Sequence, residues 1–173
     1  TYYVEAGNTC RSSRFSVQAV VSAAPAAPTA SSVSRCGPGV VVLTASSSAQ
    51  LLWYTSASGG SSIGTGSSFT TPSLSTTTTY YVEANNGCAS ATRTSVQAII
   101  NAIPAAPTAS SVSRCGPGTL TLNATASEQI FWYSSMVGGI QLGTGASYTS
   151  PSISSTTTYY VENGNSCRSA RIA

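Results

Sequence analysis

Residues 25–39 read PAAPTASSVSRCGPG, and residues 104–118 repeat them letter for letter. The offset of 79 residues carries on through Gln50 and Gln129, Trp53 and Trp132, the glycine pairs 59–60 and 138–139, and the GTG segments 64–66 and 143–145. It holds again at Pro72 and Pro151 and at Cys88 and Cys167. A second marker occurs three times, as TYYVEAGNTC at 1–10, TYYVEANNGC at 79–88 and TYYVENGNSC at 158–167. A period of this length exceeds a solenoid unit and lets each copy bury a core of its own. The expectation is a tandem array. Residues 1–24 would be the last two strands of a preceding repeat plus a linker, 25–103 a complete repeat, and 104–173 a second repeat truncated in its last strand. Because the chain opens inside the TYYVE segment, it reads as an excerpt of a longer run of repeats.

Within a repeat the apolar period is two. TLTLNAT at 119–125 alternates so that Leu120 and Leu122 face a core, and Val41 and Leu43 match them in VVVLTAS at 40–46. Leu51 and Trp53 share one face of the next strand, as do Ile130 and Trp132. The glycine pairs supply a tight turn. A short strand around Ile63 (140–142 in the second copy) follows, then the GTG turn, then a strand through Phe69 or Tyr148. Pro72 puts that strand at a sheet edge or ends it. The run STTTTYYVEA predicts another strand with Tyr80 and Val82 inward, and a last strand runs from Arg93 to about Ile100. No window offers a helical period with caps. Short strands broken by Gly, Pro and Ser predict an all-β fold of tandem immunoglobulin-like (fibronectin type III-like) β-sandwich modules. The core markers are Trp53, Trp132, Tyr80, Tyr159, Val82 and Val161, with Tyr80 in the place of a tyrosine corner. The connectors VVSAAPAAPTA and IINAIPAAPTA predict semi-rigid linkers, with Val20, Val21, Ile99, Ile100 and Ile103 packed at a junction between modules.

The frame RCGPG, WY, GG, GTG, (F/Y)T, TTTYYVE and NGC resembles the bacterial Ig-like domain that recurs in large cell-surface and secreted proteins of gliding and biofilm-forming bacteria. The resemblance covers essentially the whole chain. It implies tandem arrangement, an extracellular address with export of the type IX secretion kind, and an adhesive or structural role. It brings no catalytic residues with it.

The five cysteines follow the repeat: Cys36 and Cys88 in one copy, Cys115 and Cys167 in the next, and Cys10 at the Cys88 position of the preceding one. With no His, no Asp and no Cys-x-x-Cys, zinc is disfavoured and disulfides in an oxidising compartment are the natural reading. The simplest pairing lies within each repeat, Cys36–Cys88 and Cys115–Cys167. Counting strands puts those partners at opposite poles of a sandwich, which leaves open a Cys36–Cys167 bond between repeats.

Charge is scarce: seven arginines, four glutamates and no lysine, aspartate or histidine, 6% of residues against about 25% in ordinary soluble domains. A hydroxyl-wetted surface short of charge repulsion tolerates close packing against copies of itself, so self-association is expected. The net charge of +3 is dispersed, which argues against nucleic-acid binding. No apolar run is long enough for membrane insertion. Glu5, Glu83 and Glu162 are one repeat position, each nine or ten residues before Arg14, Arg93 or Arg171, which reads as a register-setting hairpin pair rather than catalysis. The GTG segments read as turns and not phosphate loops, since no helix follows. No catalytic residue, cofactor or metal site is expected. Asn123-Ala124-Thr125 fits the N-glycosylation pattern by accident, while O-linked glycans on the Ser/Thr surface are compatible with the sequence. The expected function is a structural extracellular tandem-repeat protein forming a surface fibre or filament. A monomeric adhesin stalk is the alternative. A carbohydrate-binding accessory module, resting on Tyr54/Tyr133 and Tyr81/Tyr160, is the less favoured reading.

Overall fold

Alternation decides which residues become strand. In Val41–Ser46 the side chains of Val41, Leu43 and Ala45 are buried while Val42, Thr44 and Ser46 are exposed, as a sheet covered on one face requires. The computed structural model describes residues 1–173, all-β, in sixteen strands. They are β1 (Tyr2–Val4), β2 (Phe15–Val17), β3 (Thr29–Ala30), β4 (Val33–Cys36), β5 (Val42–Ser46), β6 (Gln50–Tyr54), β7 (Gly64–Thr65) and β8 (Ser68–Thr70). Then follow β9 (Thr78–Asn85), β10 (Thr94–Asn101), β11 (Thr108–Ala109), β12 (Thr121–Thr125), β13 (Ile130–Tyr133), β14 (Gln141–Thr144), β15 (Ser147–Thr149) and β16 (Tyr160–Asn163).

The chain forms two compact units whose limits cut across the sequence repeats: Thr1–Ser32, Val42–Thr71 and Thr79–Ala98 in one, Val33–Val41, Pro72–Thr78 and Ile99–Ala173 in the other. Two sheets build the repeat spanning β3 to β10, in the orders β3-β5-β8 and β4-β10-β9-β6-β7. Trp53 of β6 stands opposite Val82 of β9, and its ring stacks on Phe69 of β8 with centroids 5.6 Å apart. Phe69 in turn meets Tyr80 at 5.3 Å, so one aromatic from each sheet closes the sandwich. Leu43, Val82, Val96 and Ala98 complete a core with at most 1% exposure each. Burying a side chain of this class contributes roughly 1.5–3 kcal/mol. The GTG turn serves this core directly. Gly66 O accepts the Trp53 indole N–H at 2.9 Å, and a Cβ on Gly64 would stand 2.8 Å from the Phe69 ring.

The second repeat reproduces the plan with sheets β11-β12-β15 and β14-β13-β16. Ala124, Ile130, Trp132 and Val161 form its core, with Leu122, Leu142, Tyr148 and Ile172 packed against them. Trp132 stacks on Tyr148 at 5.9 Å and donates to Gly145 O at 2.9 Å. Its last strand is represented by a single bridge between Val161 and Ile172.

Three expectations need correction. The PTA that ends each linker is not connector: Thr29–Ala30 and Thr108–Ala109 pair with β5 and β12. The strand around Ile63 begins one residue later, at Gly64, and Ile63 is exposed. Val20 and Val21 are not packed at a junction. They are 78% and 95% exposed, because residues 18–28 run without a strand partner. Ile103 is also exposed, while Ile99 and Ile100 are half-buried.

Candidate functional site

Two arrangements recur at the places where the sequence concentrates its charge and its sulfur. The first is a clasp around the β6–β7 turn. Arg93 leaves the start of β10, donates from Nε to Glu83 Oε2 at 3.0 Å, and from Nη1 to the carbonyls of Ser56 at 2.8 Å and Gly59 at 2.7 Å. Its guanidinium lies 3.3 Å from the centroid of the Tyr54 ring. Arg171 does the same in the second repeat. It donates to Glu162 at 2.8 Å, to Ser135 O at 3.0 Å and to Gly138 O at 2.5 Å, and it lies 3.4 Å from the Tyr133 centroid. Tyr133 OH donates to Glu162 Oε1 at 3.0 Å. In the first hairpin Glu5 holds both Arg14, at 2.7 Å, and Arg11.

The hairpin pairs expected from the nine- and ten-residue spacing are therefore made, and two of them are nearly buried. Side-chain exposures are 10% and 13% for Arg93 and Glu83, and 15% and 11% for Arg171 and Glu162. Every acceptor in the clasp is a carboxylate or a turn carbonyl. The planar fork of arginine reaches them while its face lies over the Tyr54 ring, which the point charge of a lysine would not do. A buried pair of this sort fixes register more than it adds stability. Both oxygens of Glu162 are held, one by Arg171 and one by Tyr133. The clasp also covers one face of Tyr54, itself only 7% exposed, so that ring offers no open platform there.

The second arrangement is sulfur. Cys36 is bonded to Cys167, with Cα atoms 5.6 Å apart across 131 residues of sequence. Cys10, Cys88 and Cys115 are free. The within-repeat pairing, the simpler of the two expectations, fails for a geometric reason. Gly37 N donates to Asn101 O at 2.9 Å, so Cys36 sits at the Asn101 end of β10, whereas Cys88 precedes the Thr94 end. A strand of that length spans roughly 26 Å, far beyond the ~7 Å limit for bridging Cα atoms. Cys36 and Cys167 belong to different sequence repeats yet to one compact unit. A loop this long corresponds to ~5 kcal/mol in the chain-entropy account.

Of the remaining positions singled out from sequence, Trp53, Trp132, Tyr80, Val82 and Val161 lie at 0–4% exposure, and Tyr159 is half-buried against Tyr148. Burial raises the Tyr80 hydroxyl pKa above its ordinary value. In the second repeat it is Tyr148 that is raised, by burial first and then by Tyr159. Sequence reasoning missed the turn carbonyls held by Arg93 and Arg171, for which glycines 34 and 33 residues away give no signal. It also missed Asn163, which is 0% exposed and whose amide nitrogen and oxygen have no partner.

Two-sheet sandwiches of period-two strands, laid end to end in sequence, with a Trp and a Tyr in each core, define a tandem immunoglobulin-like protein. The chain belongs to the family described as Ig-like domain CHU_C associated, whose model matches residues 25–101 and again 104–173. Among solved structures it is similar to a mouse coronavirus receptor-binding domain complexed with its murine receptor, at 13% identity, 84% of this chain, 97% of that one and a TM-score of 0.49. It is also similar to a chimeric titin Z1Z2 functionalized with a KLER peptide from decorin, at 18% identity, 85% and 94% coverage and a TM-score of 0.35. Titin domains Z1Z2 in complex with telethonin follow at 16% identity, 85% and 94% coverage and a TM-score of 0.34. Likeness of this degree says nothing of what the chain binds. No curated protein matches it.

Proposed function

We propose that the chain is part of a structural extracellular protein, a run of Ig-like repeats that builds a fibre or filament at a bacterial surface by associating with further copies. The observation that carries this reading is the Cys36–Cys167 bond. It ties one repeat's sequence to the next, where the cystine of a self-contained binding module would close its own core. A cystine also suits an oxidising compartment outside the cytoplasm. The 6% charged composition supports close self-packing, and the family supports a secreted address. The reading calls for no catalytic residue, cofactor, metal, nucleic acid or membrane insertion, and it leaves room for surface glycans. A sugar-binding platform is disfavoured by the guanidinium over one face of Tyr54 and of Tyr133.

Electron microscopy of the native secreted material, with and without reductant, tests the proposal. Ordered filaments with an axial repeat of one or two modules are expected, loosening under reductant. Isolated flexible strings that reductant leaves unchanged would replace the fibre with a monomeric adhesin stalk.

A further inference from the structure

Cys88 stands 79 residues before Cys167 in the same TYYVE…C marker, and Cys115 stands 79 residues after Cys36 in the same RCGPG segment. One member of each position is bonded and the other is not. The surroundings of Cys88 match the bonded site. In the bonded site, Gly37 N donates to Asn101 O at 2.9 Å, which sets Cys36 beside the residue that ends β10. The residue corresponding to Asn101 in the preceding repeat is Ser22. The Cys88 thiol lies 3.8 Å from Ser22 O, and the Asn86 amide donates to Ala23 O at 3.3 Å. Two of the three segments that make the bonded site are thus assembled at Cys88, and the one missing is a Cys-Gly-Pro-Gly. Cys115 presents that missing segment fully exposed, with nothing within 4 Å of where a Gly116 Cβ would lie. At the bonded copy, by contrast, a Cβ on Gly37 would stand 2.7 Å from Ile103 Cδ1.

We propose that Cys88 and Cys115 are the two open ends of a disulfide staple that propagates from repeat to repeat, each partner being a further copy of this same module. Cys88 takes the cysteine of another RCGPG segment, and Cys115 takes the cysteine of another TYYVE…C segment. Cys10, at the Cys88 position, joins the same series. Each bond forms from two thiols, which lose two protons and two electrons to a disulfide oxidant. Through two exchange steps that oxidant is reduced to a pair of thiols. The staple shares the Cys36–Cys167 bond with the fibre reading but does not require filaments, since it would stiffen a stalk equally well.

Arginine-specific cleavage reads the connectivity, because cuts after Arg35, Arg93, Arg114 and Arg168 release 36–93 and 115–168, each holding both cysteines of its repeat. The protein is taken from its native source, its free thiols are blocked with iodoacetamide, and it is unfolded and cleaved without reductant. The expected result is a ladder of linked segments that collapses to single segments on reduction, with 36–93 joined through Cys88 to a Cys-Gly-Pro-Gly peptide. Closed single segments carrying Cys36–Cys88, or quantitative alkylation of Cys88 and Cys115, would overturn the proposal. Mass under denaturing, non-reducing conditions before cleavage tells whether the partners share a chain, leaving one chain mass, or join chains, giving multimers. Filament images have no bearing on this result. Alkylated Cys88 and Cys115 beside an intact Cys36–Cys167 bond overturn the staple alone, whereas a Cys36–Cys88 bond would also remove the bond on which the fibre reading rests.

Discussion

The segment PAAPTASSVSRCGPG occurs twice without a single difference, and it folds in two ways. In the first copy Val33–Cys36 is a strand beside β10, Val33 and Arg35 are half-buried and Gly37 is buried. In the second copy residues 111–114 form no strand, and Val112, Arg114, Cys115 and Gly116 are all exposed. Both copies keep the pairing of Thr29–Ala30 with β5 or Thr108–Ala109 with β12, and a local bond also survives. Arg35 donates to Val40 O at 2.8 Å and Arg114 to Thr119 O at 3.0 Å, five residues on in each case. What differs is the neighbour. The first copy lies beside β10, whereas residues 111–114 of the second have no strand partner. Strand formation here is a property of the pair rather than of the segment, as the context dependence of β propensity leads one to expect.

The largest effect that would sharpen this contrast is in the cores. Trp53→Ala removes a side chain of 0% exposure and its bond to Gly66, for a loss of about 3–5 kcal/mol in denaturant unfolding. Trp132→Ala should fall at the lower end of that range, because Trp132 borders an open groove shared with Leu122, Tyr159 and Val161, into which neighbours can relax. Equal losses would mean that the second core is as closed as the first.

Asn163 marks a further difference, since Ala84 stands at its place in the first repeat, also at 0% exposure. Asn163→Ala removes a buried amide without partners and should stabilise the second repeat by about 1–3 kcal/mol, read as a raised unfolding midpoint. Ala84→Asn should cost the first repeat a similar amount.

The identical glycines give a finer test. Gly37 and Gly116 have φ of 70° and 74°, so alanine at either is strained by about 1 kcal/mol. Only Gly37→Ala also presses on Ile103, adding on the order of 1 kcal/mol. A larger loss for Gly116→Ala would contradict the assigned surroundings.

The smallest effect is on pH dependence. Burial raises Tyr80 above the ordinary tyrosine value of 10.0, so folding favours the neutral phenol. That contribution is whole below pH 10 and is lost as pH rises beyond it, where the unfolded chain ionises first. Tyr80→Phe should flatten the alkaline fall in stability of the first repeat, and Tyr148→Phe that of the second.

The fold was legible because its signal is local. Period-two burial in 41–46 and 119–125, the glycine turns and the Trp and Tyr positions all announce themselves within a few residues. The Glu–Arg pairs were legible because a hairpin makes nine or ten residues a short distance in space. The cystine was half legible: strand counting exposed the fault in the Cys36–Cys88 pairing, but choosing Cys167 needs the placement of a second repeat 131 residues on. The orphaned Asn163 and the exposure of Val20 and Val21 depend on what packs nearby, which no pattern along the chain records.

Amide hydrogen exchange on the oxidised 173-residue chain tests most directly whether partner rather than sequence makes the strand. Protection of Val33–Cys36 well above that of Val112–Cys115, despite identical residues and identical intrinsic exchange, is the predicted result. Equal protection in the two segments would contradict it, and would return the strand to the local sequence.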